Sequence, residues 1–242
     1  MNTTHKTTGF TLIEMLVVIA IIALLTSLTT PLVSSALKKA KTAACMSNLR
    51  QAHQILMTYS ADHKGRVPVD LKINNSNANW RGWYHILYME GYIPNPYKAG
   101  NYVGNTGYSC PLSASDKISY NNSSHGYGVN MGAWDRDGAH PEWRQQVVRD
   151  GDVYQYLNYT EIENPSDFIF MADTVNLYGM EVGKEVQKAR FGEDWAAIWL
   201  RHQKKANILF ADGRVATLAR ADLENLLHTN MRPRGDKRFY GD

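Results

Sequence analysis

The chain has 242 residues, of which 44% are hydrophobic and 20% are charged, and this length is enough for one or two domains. The formal net charge of +3 and the lack of any cluster of five or more Lys and Arg residues argue against a nucleic-acid partner. Strong hydrophobicity is confined to the N-terminus, where residues 10–25 are apolar except for Thr11 and Glu14. As a helix, the 21 residues from Phe10 to Thr30 would cover about 30 Å, the thickness of a bilayer's hydrocarbon core. The sequence therefore predicts one membrane span followed by a soluble head.

Three interpretations of this apolar segment compete. A cleaved secretory signal has an apolar region of about 7–15 residues with a small-residue cleavage site behind it, and this segment has neither feature. An uncleaved signal anchor explains the length but not Glu14, because a carboxylate at the centre of a bilayer costs about 2.5–3.5 kcal/mol. The third interpretation places a cut before the apolar run, between Gly9 and Phe10.

The third interpretation depends on a specific order of residues. Gly9, Phe10 and Glu14, followed by an unbroken apolar run, closely resemble the N-terminal signature of type IV pilins and type II secretion pseudopilins. The resemblance implies that residues 1–9 are a leader, that prepilin peptidase cuts after Gly9, and that the new N-terminus is methylated on Phe10. Glu14 then becomes the fifth residue of the mature chain and the carboxylate used in assembly. The resemblance also implies a helix kink at Pro31, because proline lacks the backbone N–H that a helix interior needs.

The charges that flank the span favour the opposite orientation. Lys6 precedes the span and three lysines follow it, whereas cytoplasmic flanks usually carry the excess of Lys and Arg (Lys38, Lys39, Lys41). We give the resemblance precedence, and it implies a single-pass inner-membrane protein whose head lies outside the cytoplasm. After assembly the head would stand in the periplasm on a pseudopilus, or outside the cell on a pilus.

The helix is predicted to continue beyond the membrane. No Gly or Pro occurs from Leu32 to Lys64, and apolar residues recur there at intervals of four, three, four and three (Cys45, Leu49, Ala52, Leu56, Tyr59). This spacing defines one face of a helix, which we call the stripe and which would pack on the head. The helix from Phe10 to Tyr59 would be about 75 Å long. Gly65 and Pro68 are expected to end it.

The remaining chain is predicted to form a globular head. The patterns predict a short helix at 80–94 ending at Gly91, loops with short strands at 95–140, a short helix at 141–148, a strand at 167–174, a hairpin at 206–218 and a terminal helix at 220–230. The expected fold is α+β, with a long N-terminal helix packed on a head that contains a small antiparallel sheet. Its parts are the leader at 1–9, a transmembrane or filament-core helix at 10–30, an amphipathic continuation at 31–61, and the head at 62–242.

The head carries a second resemblance. Segments of the helix and of the head look like landmarks of large-headed prepilin-type proteins (residues 45–51, 108–111, 168–174, 201–215), whereas residues 112–165 match poorly. Proteins of that group carry a His followed, after nine residues, by Asp-Gly, and here His202 precedes Asp212-Gly213 at that spacing. The residue after the glycine is often His in that group and is Arg214 here, which weakens a ligand role at this position.

Cys45 and Cys110 are the two cysteines of the chain. On the topology above both lie outside the cytoplasm, where disulfides persist. Because Cys45 belongs to the stripe, a Cys45–Cys110 disulfide would join the helix to the head and contribute about 3–4 kcal/mol of stability. Two buried thiols are the alternative.

The head also offers candidate ligands for a cation. His202, Asp173 and Asp212 could bind a metal, or carboxylates with loop carbonyls could bind Ca²⁺. The simpler interpretation, which we prefer, has no cofactor. Asp212 is then the first residue of a type I′ hairpin turn, Asp173 ends a strand, and His202 caps or pairs locally.

The expected function is that of a structural subunit of a type II secretion pseudopilus or type IV pilus. Expected partners are prepilin peptidase, other pilin or pseudopilin subunits, the inner-membrane assembly platform and membrane lipid. An enzyme is not predicted, because no nucleophile–base–acid set is recognisable. The alternative function is a filament-tip or membrane-anchored module that binds glycan or another surface. Aromatic residues at 80–84 and 195–199 would stack on sugars in that case, although core packing also explains them.

Overall fold

A computed structural model of the chain describes residues 12–75, 80–95, 97–98, 101–102, 110–112, 127–130, 144–176, 190–191, 196–230 and 239–240. The chain divides into two compact units, residues 1–40 and residues 41–242. A long N-terminal helix is followed by a head that contains antiparallel sheets, so the predicted α+β arrangement is confirmed.

One helix, α1 (Leu12–Asp62), runs for 51 residues. It contains no glycine and continues through Pro31, so the kink expected there stays a prediction. Every side chain of residues 12–41 is exposed, whereas the second part of the helix has a buried face. The five stripe residues are fully buried in the hydrophobic core of the head (Cys45, Leu49, Ala52, Leu56, Tyr59). The predicted stripe is thus confirmed, and burial of each large apolar side chain contributes about 1.5–3 kcal/mol.

The first sheet of the head has four antiparallel strands. They are β1 (Arg66–Lys72), β2 (Trp80–Gly82), β6 (Arg144–Arg149) and β7 (Asp152–Asn158). Across the sheet they lie in the order β2, β1, β7 and β6. Helix α2 (Trp83–Met89) follows β2 directly. Its end agrees with the prediction, since Gly91 takes a φ of +83° just beyond it.

The end of α1 corrects one expectation. Gly65 has a φ of +80° and terminates the helix as predicted, but Pro68 lies inside β1. The register between β1 and β7 shifts between Pro68 and Asp70. A residue without a backbone N–H is tolerated at such a bulge, which explains how a strand accommodates the proline.

The helix predicted at 141–148 is wrong, because residues 144–149 form strand β6. Strands β6 and β7 are joined by a two-residue turn of Asp150 and Gly151, with φ values of 51° and 83°. Positive φ at both turn residues defines the type I′ turn that Asp-Gly favours. The hairpin pairs Val147 and Val148 with β7, and this pairing overrides the weak helical pattern of the segment.

Two further sheets and a short ribbon make up the rest of the head where the structure describes it. A two-stranded ribbon joins β3 (Tyr97–Lys98) to β4 (Asn101–Tyr102). The five-stranded sheet contains, in spatial order, β10 (Arg190–Phe191), β5 (Gly128–Asn130), β8 (Ile169–Ala172), β12 (Lys205–Phe210) and β13 (Val215–Ala219). The three-stranded sheet contains β14 (Phe239–Tyr240), β11 (Ala196–Trp199) and β9 (Thr174–Asn176).

The last predicted elements are all present. The strand expected at 167–174 is β8 with the start of β9, and the terminal helix is α3 (Arg220–Asn230). The hairpin of β12 and β13 is also confirmed, but its turn is not type I′, because Asp212 is absent from the residues with positive φ. The N–H of Gly213 donates to the carbonyl of Phe210 and Gly213 has a φ of +87°, the three-residue turn that ends in a left-handed glycine.

Candidate functional site

The first part of α1 presents an apolar surface that the chain itself does not cover. Fifteen large hydrophobic residues between Leu12 and Leu37 are exposed, with Leu12 at 83% and Leu32 at 71%. The helix is long and apolar enough to cross a membrane. Such a surface is stable only in lipid or against other apolar helices, because each large apolar side chain gains about 1.5–3 kcal/mol on burial.

Glu14 lies in the first turn of the described helix, and its side chain is exposed. The predicted cleavage and methylation positions, Gly9 and Phe10, lie outside the described residues. The structure therefore places Glu14 on the apolar helix, while its role in assembly and the processing site stay predictions from the sequence.

A second candidate site is a buried polar cluster inside the head, formed by Cys45, Cys110, Asp173 and His202. Four separate segments supply these residues: the stripe of α1, the segment 110–112, the junction between β8 and β9, and the turn between β11 and β12. One ligand atom from each side chain lies within 4.8 Å of each of the others. All four residues are buried, so the cluster belongs to the core of the head.

The position of Asp173 follows from the sheet topology. It separates β8 of the five-stranded sheet from β9 of the three-stranded sheet. Its carbonyl accepts a hydrogen bond from the N–H of Trp199 at 2.8 Å, and its own N–H donates to the carbonyl of Asn207 at 3.4 Å. The residue is therefore held at the place where the chain passes from one sheet to the next.

The two ring nitrogens of His202 have different surroundings. Nδ1 lies 3.0 Å from the hydroxyl of Thr42 on α1. Nε2 faces the rest of the cluster, at 2.8 Å from Asp173 Oδ2, 3.5 Å from Cys110 Sγ and 3.1 Å from Asn207 Nδ2. Because one N–H can satisfy only one good acceptor, Nε2 is surrounded by more polar atoms than it can bond.

The thiol of Cys45 completes the geometry. Its Sγ lies 3.4 Å from Asp173 Oδ2. The hydroxyl of Tyr127 lies 3.2 Å from the same sulfur and 3.1 Å from the carbonyl oxygen of Cys45, so its one proton is shared between these two acceptors. The second carboxylate oxygen, Asp173 Oδ1, is buried and has no hydrogen-bond partner among the described residues. Such an oxygen normally costs about 1–3 kcal/mol or more in a protein interior.

The cluster perturbs its own titratable groups. Burial raises the pKa of Cys45, and the neighbouring Cys110 and the charge of Asp173 raise it further. Burial also acts to raise the pKa of Cys110, but hydrogen bonds with Cys45 and His202 outweigh it and lower this pKa to about 7. Burial acts to lower the pKa of His202, but its hydrogen bonds to Asp173 and Cys110 outweigh that effect and raise the pKa to about 9.

The arrangement differs from a Cys-His-Asp catalytic triad. In a triad the nucleophile and the carboxylate bond opposite ring nitrogens, so that one orients the imidazole while the other exchanges a proton. Here Cys110 and Asp173 both face Nε2 of His202, and Thr42 is on Nδ1. Two sulfur atoms, one imidazole nitrogen and one carboxylate oxygen that face one another are the donor atoms that protein metal sites use.

The structure regroups the residues named from the sequence. It brings Asp173 and His202 together and adds both cysteines, but Asp212 is exposed in the β12–β13 turn, where its Oδ1 accepts from the N–H of Arg214 at 2.9 Å. The side chain of His202 has a local partner, Asn207 Nδ2 at 3.1 Å, and it also bonds the distant Asp173 at 2.8 Å. The structure holds Cys45 and Cys110 as two free thiols whose sulfurs lie within 4.8 Å of each other, so the Cys45–Cys110 disulfide stays a prediction.

The aromatic residues considered for sugar stacking lie in the core where the structure describes them. Trp83, Tyr84 and Trp199 are all buried, and Trp83 Nε1 donates to the carbonyl of Tyr127 at 2.9 Å. Core packing, the other explanation given for these residues, is confirmed for the three. The side chains of Trp80 and Trp195 lie outside those described.

The supporting residues were not identified from the sequence. Thr42, Tyr127 and Asn207 orient the cluster, but each is an ordinary polar residue in an unremarkable context. The Cys and His residues gave the available signal, and only the fold shows that they converge.

Comparison with known proteins bears on the N-terminal segment. Residues 4–30 match the family model for the prokaryotic N-terminal methylation motif, and no curated protein or solved structure matches the chain. The spacing of His202 and Asp212 is not covered by that match, so the second resemblance stays a prediction. The motif implies processing by prepilin peptidase and assembly with other pilin subunits, and the apolar helix is consistent with membrane anchoring. With this motif and its long apolar N-terminal helix, the chain fits a type IV pilin or pseudopilin.

Proposed function

We propose that the protein is a structural subunit of a type II secretion pseudopilus or type IV pilus. It is made as a precursor in the inner membrane, with its head outside the cytoplasm, and it is cut after Gly9 and methylated on Phe10. It then joins a filament whose interior is built from the apolar helices. It acts through assembly rather than catalysis.

The observation that carries the proposal is the uncovered apolar part of α1. The exposed large hydrophobic side chains from Leu12 to Leu37 gain free energy of the order of tens of kcal/mol on burial in lipid or between subunits. Within the described residues the stripe buries only the later part of the helix. The earlier part of the helix can therefore lie first in the membrane, before assembly, and then against the helices of other subunits in the filament.

Glu14 gives the assembly a register. After cleavage Phe10 carries a cationic amine, and an amine and a carboxylate in an apolar phase are each costly unless they lie together. The amine of an adjacent subunit would pair with Glu14 as each new subunit enters. Such a pair fixes the step between subunits, which contact between smooth apolar surfaces does not.

The test is assembly of a Glu14→Leu variant. We expect it to be inserted and processed normally but to be missing from sheared filaments, whereas Glu14→Asp assembles partially because the carboxylate remains. Glu163→Leu is a matched control, since Glu163 is an exposed carboxylate of the head. Incorporation of Glu14→Leu at the wild-type level would contradict the proposal.

A deletion strain separates the two kinds of filament. Loss of surface fibres with normal secretion indicates a pilus. Accumulation of exported proteins in the periplasm indicates a pseudopilus. Binding of the protein to a glycan array, abolished by substitutions in the head but not by Glu14→Leu, would instead support the binding module.

A further inference from the structure

The buried cluster of the head has the composition and the spacing of a metal site. It contains two thiols, one imidazole nitrogen and one carboxylate oxygen, all within 4.8 Å of one another and all buried. We propose that Cys45, Cys110, Asp173 and His202 bind one divalent transition-metal ion, with Zn²⁺ as the expected ion. This site is independent of the N-terminal segment on which the proposed function depends.

None of the distances between the ligand atoms exceeds 4.8 Å, and two of them match those of a tetrahedral site. An ion bound at about 2.0–2.3 Å from its ligands holds them about 3.3–3.8 Å from one another. The Cys45–Asp173 and Cys110–His202 ligand atoms are already 3.4 and 3.5 Å apart. The contact of 2.8 Å between His202 Nε2 and Asp173 Oδ2 is shorter, so these two side chains separate by about half an ångström when the ion enters.

The donor atoms select the kind of ion. Thiolate sulfur and imidazole nitrogen suit Zn²⁺ and other soft or borderline ions, whereas Ca²⁺ and Mg²⁺ take oxygen ligands and more of them. With one carboxylate in the set, the cluster offers too few oxygens for Ca²⁺. The exposed turn residue Asp212 does not take part.

Neighbouring side chains hold the ligands in the orientation that an ion requires. Thr42 occupies Nδ1 of His202, which leaves Nε2 directed at the cluster. The hydroxyl of Tyr127 donates to Cys45 Sγ, and such a bond stabilises a thiolate. Thr217 donates to Asn207 Oδ1 at 2.6 Å and thereby fixes the amide beside His202. Ligating residues in metal sites have hydrogen-bonded partners of this kind.

The cluster also contains polar groups that an ion would satisfy. Asp173 is fully buried, and its Oδ1 has no hydrogen-bond partner among the described residues. Nε2 of His202 has three polar atoms within 3.5 Å and at most one proton to share. A cation between the four side chains compensates the buried carboxylate and removes this competition.

The expected role of the ion is to cross-link the head. Its ligands come from α1, from the segment at 110–112, from the β8–β9 junction and from the turn before β12. A bound ion joins these segments as a disulfide would. In the location that the proposed function gives the head, outside the cytoplasm, the ion also protects both thiols from oxidation.

The first experiment measures metal in the full-length protein, purified in detergent without a polyhistidine tag and without chelators. We expect about one Zn²⁺ per chain, and after exchange with Co²⁺ we expect thiolate-to-cobalt charge transfer with the visible bands of a tetrahedral site. A protein that carries less than about a tenth of an ion per chain and binds neither added Zn²⁺ nor Co²⁺ overturns the proposal.

The second experiment asks what protects the thiols. If an ion binds them, a chelator at neutral pH exposes two thiols to a colorimetric thiol reagent without any reductant. If a reductant is required, the thiols form the disulfide and the proposal is overturned. If unfolding alone exposes them and releases no metal to an indicator dye, they are simple buried thiols, and the proposal is again overturned.

Substitutions assign the ligands. His202→Asn should reduce the metal content at least tenfold, whereas His63→Asn, which removes a histidine paired with Glu90 outside the cluster, should retain it. Should His202→Asn fail to fold, Tyr127→Phe keeps all four ligands and should weaken Co²⁺ binding by about 10- to 100-fold. Wild-type metal content and an unchanged cobalt spectrum in folded His202→Asn would exclude His202 as a ligand and overturn the site.

Discussion

Gly213 is the position where a single methyl group tests how the head is docked on α1. Its φ of +87° is one that side-chain-bearing residues rarely adopt, and a Cβ built there would lie 2.9 Å from Cε1 of His53. Non-bonded carbon atoms normally approach to about 3.5–4.0 Å. Gly213→Ala therefore combines backbone strain with an overlap against the helix.

The overlap cannot be relieved cheaply, because the His53 ring is held from two sides. Its Nε2 lies 3.2 Å from the hydroxyl of Tyr159, and its ring packs edge-on against Phe170 at 6.2 Å between centroids. Moving the ring loses a hydrogen bond worth about 1 kcal/mol. The backbone strain adds about 1 kcal/mol, so we expect Gly213→Ala to lower the free energy of unfolding by about 2–3 kcal/mol.

Gly151→Ala is the matched control. Gly151 has a φ of +83°, but nothing lies within 4 Å of a Cβ built there, so only the backbone strain of about 1 kcal/mol remains. Urea denaturation of both variants in detergent, followed by tryptophan fluorescence, gives the two free energies. The difference between them, about 1–2 kcal/mol, measures the contact with His53.

A double-mutant cycle completes the test. In a His53→Ala background the ring is gone, so Gly213→Ala should cost no more than Gly151→Ala. The docking of this turn on α1 is refuted if Gly213→Ala costs the same as Gly151→Ala in the wild type. It is equally refuted if the extra cost persists after His53 is removed.

Three further outcomes are expected. Gly9→Val should block cleavage, so that mass spectrometry finds the unprocessed leader in place of a methylated Phe10. Leu49→Ala should lower the free energy of unfolding by about 2–4 kcal/mol in urea denaturation, because it leaves a cavity in the stripe. Burial, with a smaller effect of the Arg81 charge, lowers the pKa of His85 from 6.5 to about 4 in the folded protein. Between pH 6.5 and 4 the unfolded chain therefore binds the extra proton, so stability should fall by about 2 kcal/mol as the pH drops through this range, and His85→Gln should flatten that part of the profile.

The helix and its stripe could be predicted because they depend on local periodicity. The intervals between Cys45 and Tyr59 follow the helical repeat, and all five stripe residues are buried. The hairpin at 206–218 was predictable for a similar reason, since Asp-Gly between two β-prone runs is a strong local signal. The same dipeptide at 150–151 predicts the hairpin of β6 and β7. This signal is stronger than the composition of residues 141–148, on which the wrong prediction of a helix there depends.

The buried cluster could not be predicted from spacing, because its four residues come from four distant segments. Periodicity predicts Cys45 as part of the stripe and Asp173 as the end of a strand, but neither role implies a contact between them. The contact arises because Asp173 lies where the chain leaves the five-stranded sheet for the three-stranded one. Cys110 lies in a region without any strong periodic pattern, so nothing in the sequence indicated which element it would face.

The fold explains why nine residues separate His202 from Asp212-Gly213. His202 precedes β12 and contacts Thr42, whereas Gly213 follows β12 and lies against His53. On α1, positions 42 and 53 are about 16 Å apart, a span that a strand of β12's length and its flanking turn residues can cover. This interval therefore fixes both ends of one strand to one stretch of the helix. His202 at the first end and Gly213 at the second are parts of a single contact, which holds β12 on the later part of α1.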